Sequence, residues 1–326
     1  MLSRYFASMF LSATVLSACG GNDDGTCTGH ICDDSALTDP EGGQVTLEYM
    51  YLDSELQAFF KLPAGITTLN RVTAFFENAQ TPDSNVFPTP GKCNDLVATK
   101  GWPGYVGSPH TDLDIGTLTL TGKNAAGMDV SIPIEKKTAG TDNFGRPHDI
   151  FYQATNPVAD MTLKPDSSYA VKLGGAPAGS AVQVPATTLD NALFLSATFQ
   201  VNNPGHEDNG PLVAGTAFTV HWTPVTSTNL PPGDEEQVIT WLVGTNGAPT
   251  HMCPAKLADG QFTIPGDAIT AYKAYQVAQS LPPTKMILLR NGVVHQIRRL
   301  PNGSTTNKRR IDMVTLNCWA QLMDVQ

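Results

Sequence analysis

The stretch from Gln44 to Met50 alternates strictly, with Val45, Leu47 and Tyr49 on one side of an extended chain and Thr46, Glu48 and Met50 on the other. A period of two is the spacing of a half-buried strand, and a chain that repeats it between turns is committed to β structure. The 29 glycines and 24 prolines are scattered without a repeat, as short strands joined by many turns require. Further strand-like runs lie at 71–77, 114–122, 129–135, 150–154 and 169–173, then at 193–201, 218–224, 237–243, 262–265 and 311–319. Asn124 to Gly127 reads as a hairpin loop, because Asn and Gly accept the positive φ of tight connections. Arg290-Asn291-Gly292 reads as a second hairpin between 286–289 and 293–297, Asn-Gly being the strongest short hairpin signal. Helical signal is confined to 54–60 and to a short helix capped by Asp267 and running through Ala268, Ile269, Tyr272 and Tyr275. The expected fold class is all-β: two antiparallel β-sandwich domains in tandem, over 44–187 and 188–326, with few short helices.

The first residues carry a different signal. Arg4 precedes an apolar, uncharged run over 6–18 that is too short for a hydrocarbon core of about 20 apolar residues. The run ends in Leu16-Ser17-Ala18-Cys19, which resembles the lipobox of bacterial lipoproteins. That resemblance implies a signal peptide over 1–18, cleavage after Ala18, and a diacylglyceryl group and palmitate-type acylation on Cys19 as the membrane anchor. Gly20 follows the cysteine, whereas Asp there is the inner-membrane retention signal of enteric bacteria, so the resemblance also implies an outer-membrane lipoprotein, on the periplasmic face or the cell surface. Residues 19–43, rich in Gly, Asp and Thr, read as a flexible tether.

Three segments in order, Thr-Val-His-Trp-Thr-Pro at 219–224, Gly-Gln-Phe-Thr-Ile-Pro at 260–265 with its helix, and an aliphatic strand leading to Arg290-Asn291-Gly292, resemble immunoglobulin-like domains of uncharacterised lipoproteins from Gram-negative, myxobacterial-type bacteria. The resemblance covers residues 190–326, implies a sandwich there, and carries no catalytic residue across.

Lipidation would leave five thiols, Cys27, Cys32, Cys93, Cys253 and Cys318, in a compartment that favours disulfides. A Cys253–Cys318 bridge is expected to close the second domain, with Cys93 pairing to Cys27 or Cys32. His30, Asp33 and Asp34 lie beside Cys27 and Cys32, but no second pair of ligands follows, so no metal is expected there. His110-Thr111-Asp112-Leu113-Asp114 places alternate ligand-type residues on one side of an extended segment, in the manner of calcium ligands. It lacks the Gly and distal Glu of a helix-loop-helix site and reads as the solvated start of a strand, and His206-Glu207-Asp208-Asn209 reads as a polar turn.

No Gly-x-Ser-x-Gly, His-Glu-x-x-His, Cys-x-x-Cys or phosphate-binding loop is present, so neither catalysis nor a cofactor is expected. A net charge of −10 argues against nucleic acid as a partner. Against that acidic balance, residues 268–311 hold Lys273, Lys285, Arg290, Arg298, Arg299, Lys308, Arg309 and Arg310 and no acid. Such a patch suits an anionic glycan, a lipid headgroup or an acidic envelope protein, although basic residues also serve to discourage edge-to-edge pairing of strands. Trp102 and Tyr105, flanking Pro103-Gly104, are candidates for an aromatic ligand loop, or for two rings that pin a loop to the core. The expected function is a lipid-anchored cell-envelope protein with a non-catalytic binding or structural role. The alternatives are a carbohydrate-binding module at the cell surface and an envelope hydrolase.

Overall fold

The computed structural model of the chain describes residues 41–52, 54–59, 61–63, 65–79, 91–95, 110–141, 147–156, 163–180, 184–198, 200–203, 211–230, 236–244, 249–281, 286–301 and 308–326, with backbone pairing alone for 286–301 and 308–310. The strands in chain order are β1 (Glu41–Tyr51), β2 (Thr68–Ala79), β3 (Asn94–Asp95), β4 (His110–Asp112), β5 (Leu118–Lys123), β6 (Asp129–Lys137), β7 (Gly140–Thr141), β8 (Pro147–His148), β9 (Phe151–Asn156), β10 (Ser167–Leu173), β11 (Thr187–Leu195), β12 (Gln200–Asn203), β13 (Phe218–Thr223), β14 (Glu236–Val243), β15 (Pro249–Lys256), β16 (Gln261–Ile264), β17 (Met286–Pro301) and β18 (Lys308–Met323). Two helices join them, α1 (Ser54–Phe59) and α2 (Gly266–Ala278).

Among the described residues, thirteen strands hydrogen-bond into one sheet in the order β11-β10-β5-β6-β9-β2-β1-β18-β17-β14-β15-β3, with β4 added beside the end of β2. All its pairings are antiparallel except β1 with β18, where Gly42 to Tyr51 run parallel to Arg310 to Trp319. The sheet curls until β11 lies over β18. There the Thr315 hydroxyl donates to the Phe194 carbonyl, and the Asn317 amide donates to the Ser196 carbonyl at 3.1 Å. The fold is thus all-β as expected, but its strands form one large curled mixed sheet where two tandem sandwiches were anticipated. The pairings of β10 with β11 and of β1 with β18 both cross the anticipated division at residue 187.

Three cores follow from this shape. Inside the curl, Val45, Leu47 and Tyr49 meet Val72, Leu120, Ile134, Val171, Leu195 and Met313. On the opposite face, Met50, Leu69, Val314, Leu316, Trp241 and Met252 pack together, with Leu56 of α1 laid over them. The third core joins a small sheet, β12-β13-β16, and the face of α2 bearing Ile269 and Tyr272 to Val238, Leu242 and Cys253 of β14 and β15. Burial of each large aliphatic side chain here is worth about 1.5–3 kcal/mol, so the sheet is held chiefly by its two apolar surfaces.

Local signals held where nothing competed with them. The hairpin at Asn124 forms between β5 and β6, with Gly127 at φ +78° and the Asn124 Oδ1 accepting from the Met128 amide at 2.9 Å. The Asn291-Gly292 hairpin does not form. Both residues lie inside β17, paired to β14 on one side and to β18 on the other, and two full ladders outweigh one local turn preference. The expected strand at 193–201 divides into β11 and β12, and β15 was not anticipated because Pro249 and Pro254 break its pattern. Helix α2 begins one residue before Asp267, with Pro265 at the N-cap, so Asp267 sits in the first turn.

Candidate functional site

Strand β2 ends in Glu77, Asn78 and Ala79, just after Phe75 and Phe76, and the short β4 pairs with that end so that Asp112 stands directly opposite Glu77 and His110 opposite Ala79. Residues two apart on one strand share a face, so His110 and Asp112 point together and lie diagonal and opposite to Glu77. The fourth group arrives from β8. His148 is buried, its ring stacked on Phe75 with centroids 4.7 Å apart and tilted against His110 at 4.9 Å. One ligand atom from each of Glu77, His110 and His148 lies within 4.8 Å of the other two.

Asp112 holds this group together. Its Oδ1 is 2.6 Å from His148 Nδ1 and 3.7 Å from His110 Nε2, while its Oδ2 accepts from the amides of Asp149 and Ile150. Burial works against the carboxylate, but the hydrogen bonds from His148 and the two amides outweigh it and hold its pKa below the ordinary value. An ionised Asp112 accepting from His148 Nδ1–H fixes the imidazole in one tautomer and one orientation. Chemically the cluster offers two imidazoles and two carboxylates, the donor set of a divalent transition-metal site or of a buried acid-base network.

The segment His110 to Asp114 does start a strand, but it is only partly solvated: Thr111 is exposed, whereas the side chain of Asp112 is 6% exposed. Its two aspartates also serve different neighbourhoods. Asp114 Oδ1 accepts from Tyr152 Oη at 3.0 Å and from the Gly116 amide at 2.9 Å, and its Oδ2 from Lys136 at 2.8 Å. Glu77 and His148 escaped the sequence reading because 71 residues separate them and nothing local marks either. The one legible hint was the pairing of His110 with Asp112 at strand spacing.

The cysteine pairing differs from expectation. Cys253 is bonded to Cys93, not to Cys318, and Cys318 is a buried thiol whose pKa burial pushes well up. The reason is the register: Cys253 lies on β15 next to β3, which follows Cys93 directly, whereas Cys318 lies in the middle of β18 among Met50, Leu69 and Leu316. Cys19, Cys27 and Cys32 lie outside the described residues, as do Trp102 and Tyr105. Of the basic residues, Arg290 sits in the body of the sheet opposite Thr240 and Trp319. Arg298, Arg299, Lys308, Arg309 and Arg310 gather at the other end of the β17–β18 ladder, with Arg299 opposite Arg310. Among the described residues, β14 pairs with β17 only as far as Val294 and β1 with β18 only from Arg310 onward, so Arg298, Arg299, Lys308 and Arg309 lie where the ladder runs past its neighbours, and Arg310 lies at the last pair with β1.

No protein-family model matches this chain, and no curated protein matches it.

Proposed function

We propose that this chain is a lipid-anchored cell-envelope protein with a non-catalytic binding or structural role. The observation that carries the reading is the Leu16-Ser17-Ala18-Cys19 motif behind an apolar run and a single cation. In this reading Cys19 anchors the chain to the outer membrane, the residues between Cys19 and β1 act as tether, and the β body is the part that meets a partner. Two features of the body support it. The Cys93–Cys253 disulfide suits an oxidising, exported compartment. The basic residues at the end of the β17–β18 ladder suit contact with an anionic glycan, a lipid headgroup or an acidic envelope protein.

For the fold, the finer reading is that the curled sheet is built from sandwich elements of immunoglobulin type. Tyr169 supports it: its hydroxyl accepts from the Lys164 amide at 2.7 Å, five residues upstream, as in the tyrosine corner of such sandwiches. Trp222 supports it too, buried on β13 with its indole N–H donating to the Leu257 carbonyl at 2.8 Å.

The test is expression of the wild type beside Cys19→Ala in a native host, with acyl labelling and protease treatment of intact cells. Acyl label on the wild type alone is the expected result, and an unlabelled wild type overturns the anchor. Replacement of Arg298, Arg299, Arg309 and Arg310 by Ser is expected to weaken association with anionic envelope fractions at low salt. Unchanged association removes the basic end of the hairpin as the contact.

A further inference from the structure

We propose that Glu77, His110 and His148 form a site for one divalent transition-metal ion, zinc by the nature of the donors, with Asp112 as the residue that positions His148. The inference rests on the cluster alone and is independent of the membrane anchor.

The sheet register favours a cation here. It sets the Glu77 and Asp112 carboxyl groups on directly paired positions, where a positive ion interacts favourably with both. Both groups are largely removed from water, with the Glu77 residue buried and the Asp112 side chain 6% exposed, where screening is weak. The two histidines bring nitrogen donors to the same point, and a divalent ion would balance the two carboxylates together. Two imidazoles and a carboxylate are a zinc donor set that leaves a fourth position for water or substrate. The harder ions, calcium and magnesium, prefer all-oxygen shells and are disfavoured by the histidines.

The geometry is close to that of a loaded site. With bonds of about 2.1 Å, tetrahedral ligand atoms lie about 3.4 Å apart, and the three candidate atoms are within 4.8 Å. The difference is within the reach of small side-chain rotations. Asp112 fills the supporting role that metal-bound histidines usually need: by accepting from His148 Nδ1–H, it holds the ring in the tautomer whose Nε2 carries the lone pair. His110, whose side chain is 16% exposed, gives the ion a way in. Phe75, stacked on His148, lines the inner side of the site.

The experiment uses the full chain, purified in detergent without a polyhistidine tag and stripped with chelator. Zinc is titrated against a chromophoric competitor, and cobalt is added separately as a spectroscopic probe. One zinc per chain is expected, with cobalt showing the visible bands of a nitrogen and oxygen site. His110→Gln and Glu77→Gln should each weaken zinc by at least about tenfold, and Asp112→Asn by about 10–100-fold, with the melting curves of the metal-free variants showing that they fold. A wild type that retains no zinc overturns the site. So does zinc bound equally well by wild type and folded variants, which would place the ion elsewhere. If the variants fail to fold, the cobalt spectrum of the wild type decides: thiolate bands or no bands at one equivalent overturn the proposal, and bands of nitrogen and oxygen ligands support it.

Discussion

The central strands β1, β2 and β18 present two faces that differ in kind. The face inside the curl is apolar along β1 and β2, with Val45, Leu47 and Tyr49 beside Val72, Ala74 and Phe76, and Ile311 and Met313 from β18. The opposite face begins apolar at Met50, Leu69 and Cys318 and then becomes polar while staying buried. Glu48 stands opposite Arg71 with 3.9 Å between charged atoms, Thr46 stands opposite Thr73, and Gln44 donates to Thr46 at 2.7 Å. Further along β2 come Phe75 and Glu77, with the histidines and Asp112 beyond. The contrast shows that alternation reports which residues share a face, not whether the polar face meets water. Where a polar face is buried, each group has to find a partner, and chemistry collects there.

Mutations should separate the two faces by the mechanism of loss. On the apolar face, Leu47→Ala leaves a cavity in a closed core and is expected to cost about 4 kcal/mol in denaturant unfolding. On the polar face, Arg71→Met strands Glu48 in a buried site and is expected to cost about 3 kcal/mol. Adding Glu48→Gln should restore part of that, and a double variant no more stable than Arg71→Met would show that the two charges are not coupled. Cys93→Ser lies away from both faces and serves as a control. It should cost about 2 kcal/mol, remove sensitivity to reductant, and add independently to Leu47→Ala. Thr46→Ala removes a single hydrogen bond and should cost about 1 kcal/mol.

The last contrast between the faces is one of pH dependence, and it comes from the way Asp112 titrates. Its pKa in the folded chain lies below the ordinary value of 3.8, so the unfolded chain takes up the proton first as pH falls. Its contribution is complete above that ordinary value and is lost as pH falls through the lower, folded one. Asp112→Asn should flatten this acid limb of the stability profile, while Leu47→Ala lowers the profile evenly at all pH values. An acid limb unchanged in Asp112→Asn would mean that His148 and the two amides do not hold the carboxylate as the geometry indicates.

Period-two alternation around Leu47, the Asn124–Gly127 turn and the scattered glycines and prolines were enough to settle the all-β class and most strand positions. These signals act between residues near in sequence, where backbone sterics and side-chain direction decide the outcome. The rest depended on contacts that span the chain. Asn291-Gly292 looked like a turn until β14 and β18 enclosed it, and the partner of Cys253 was set by the neighbour of β15. The parallel meeting of β1 with β18, near opposite ends of the described chain, curls the sheet and determines which faces are closed. The candidate site is of the same origin. His110 and Asp112 could be seen as a pair in the sequence, but Glu77 and His148 join them only because β4 and β8 return to the end of β2, and that proximity is a property of strand register which no local pattern encodes.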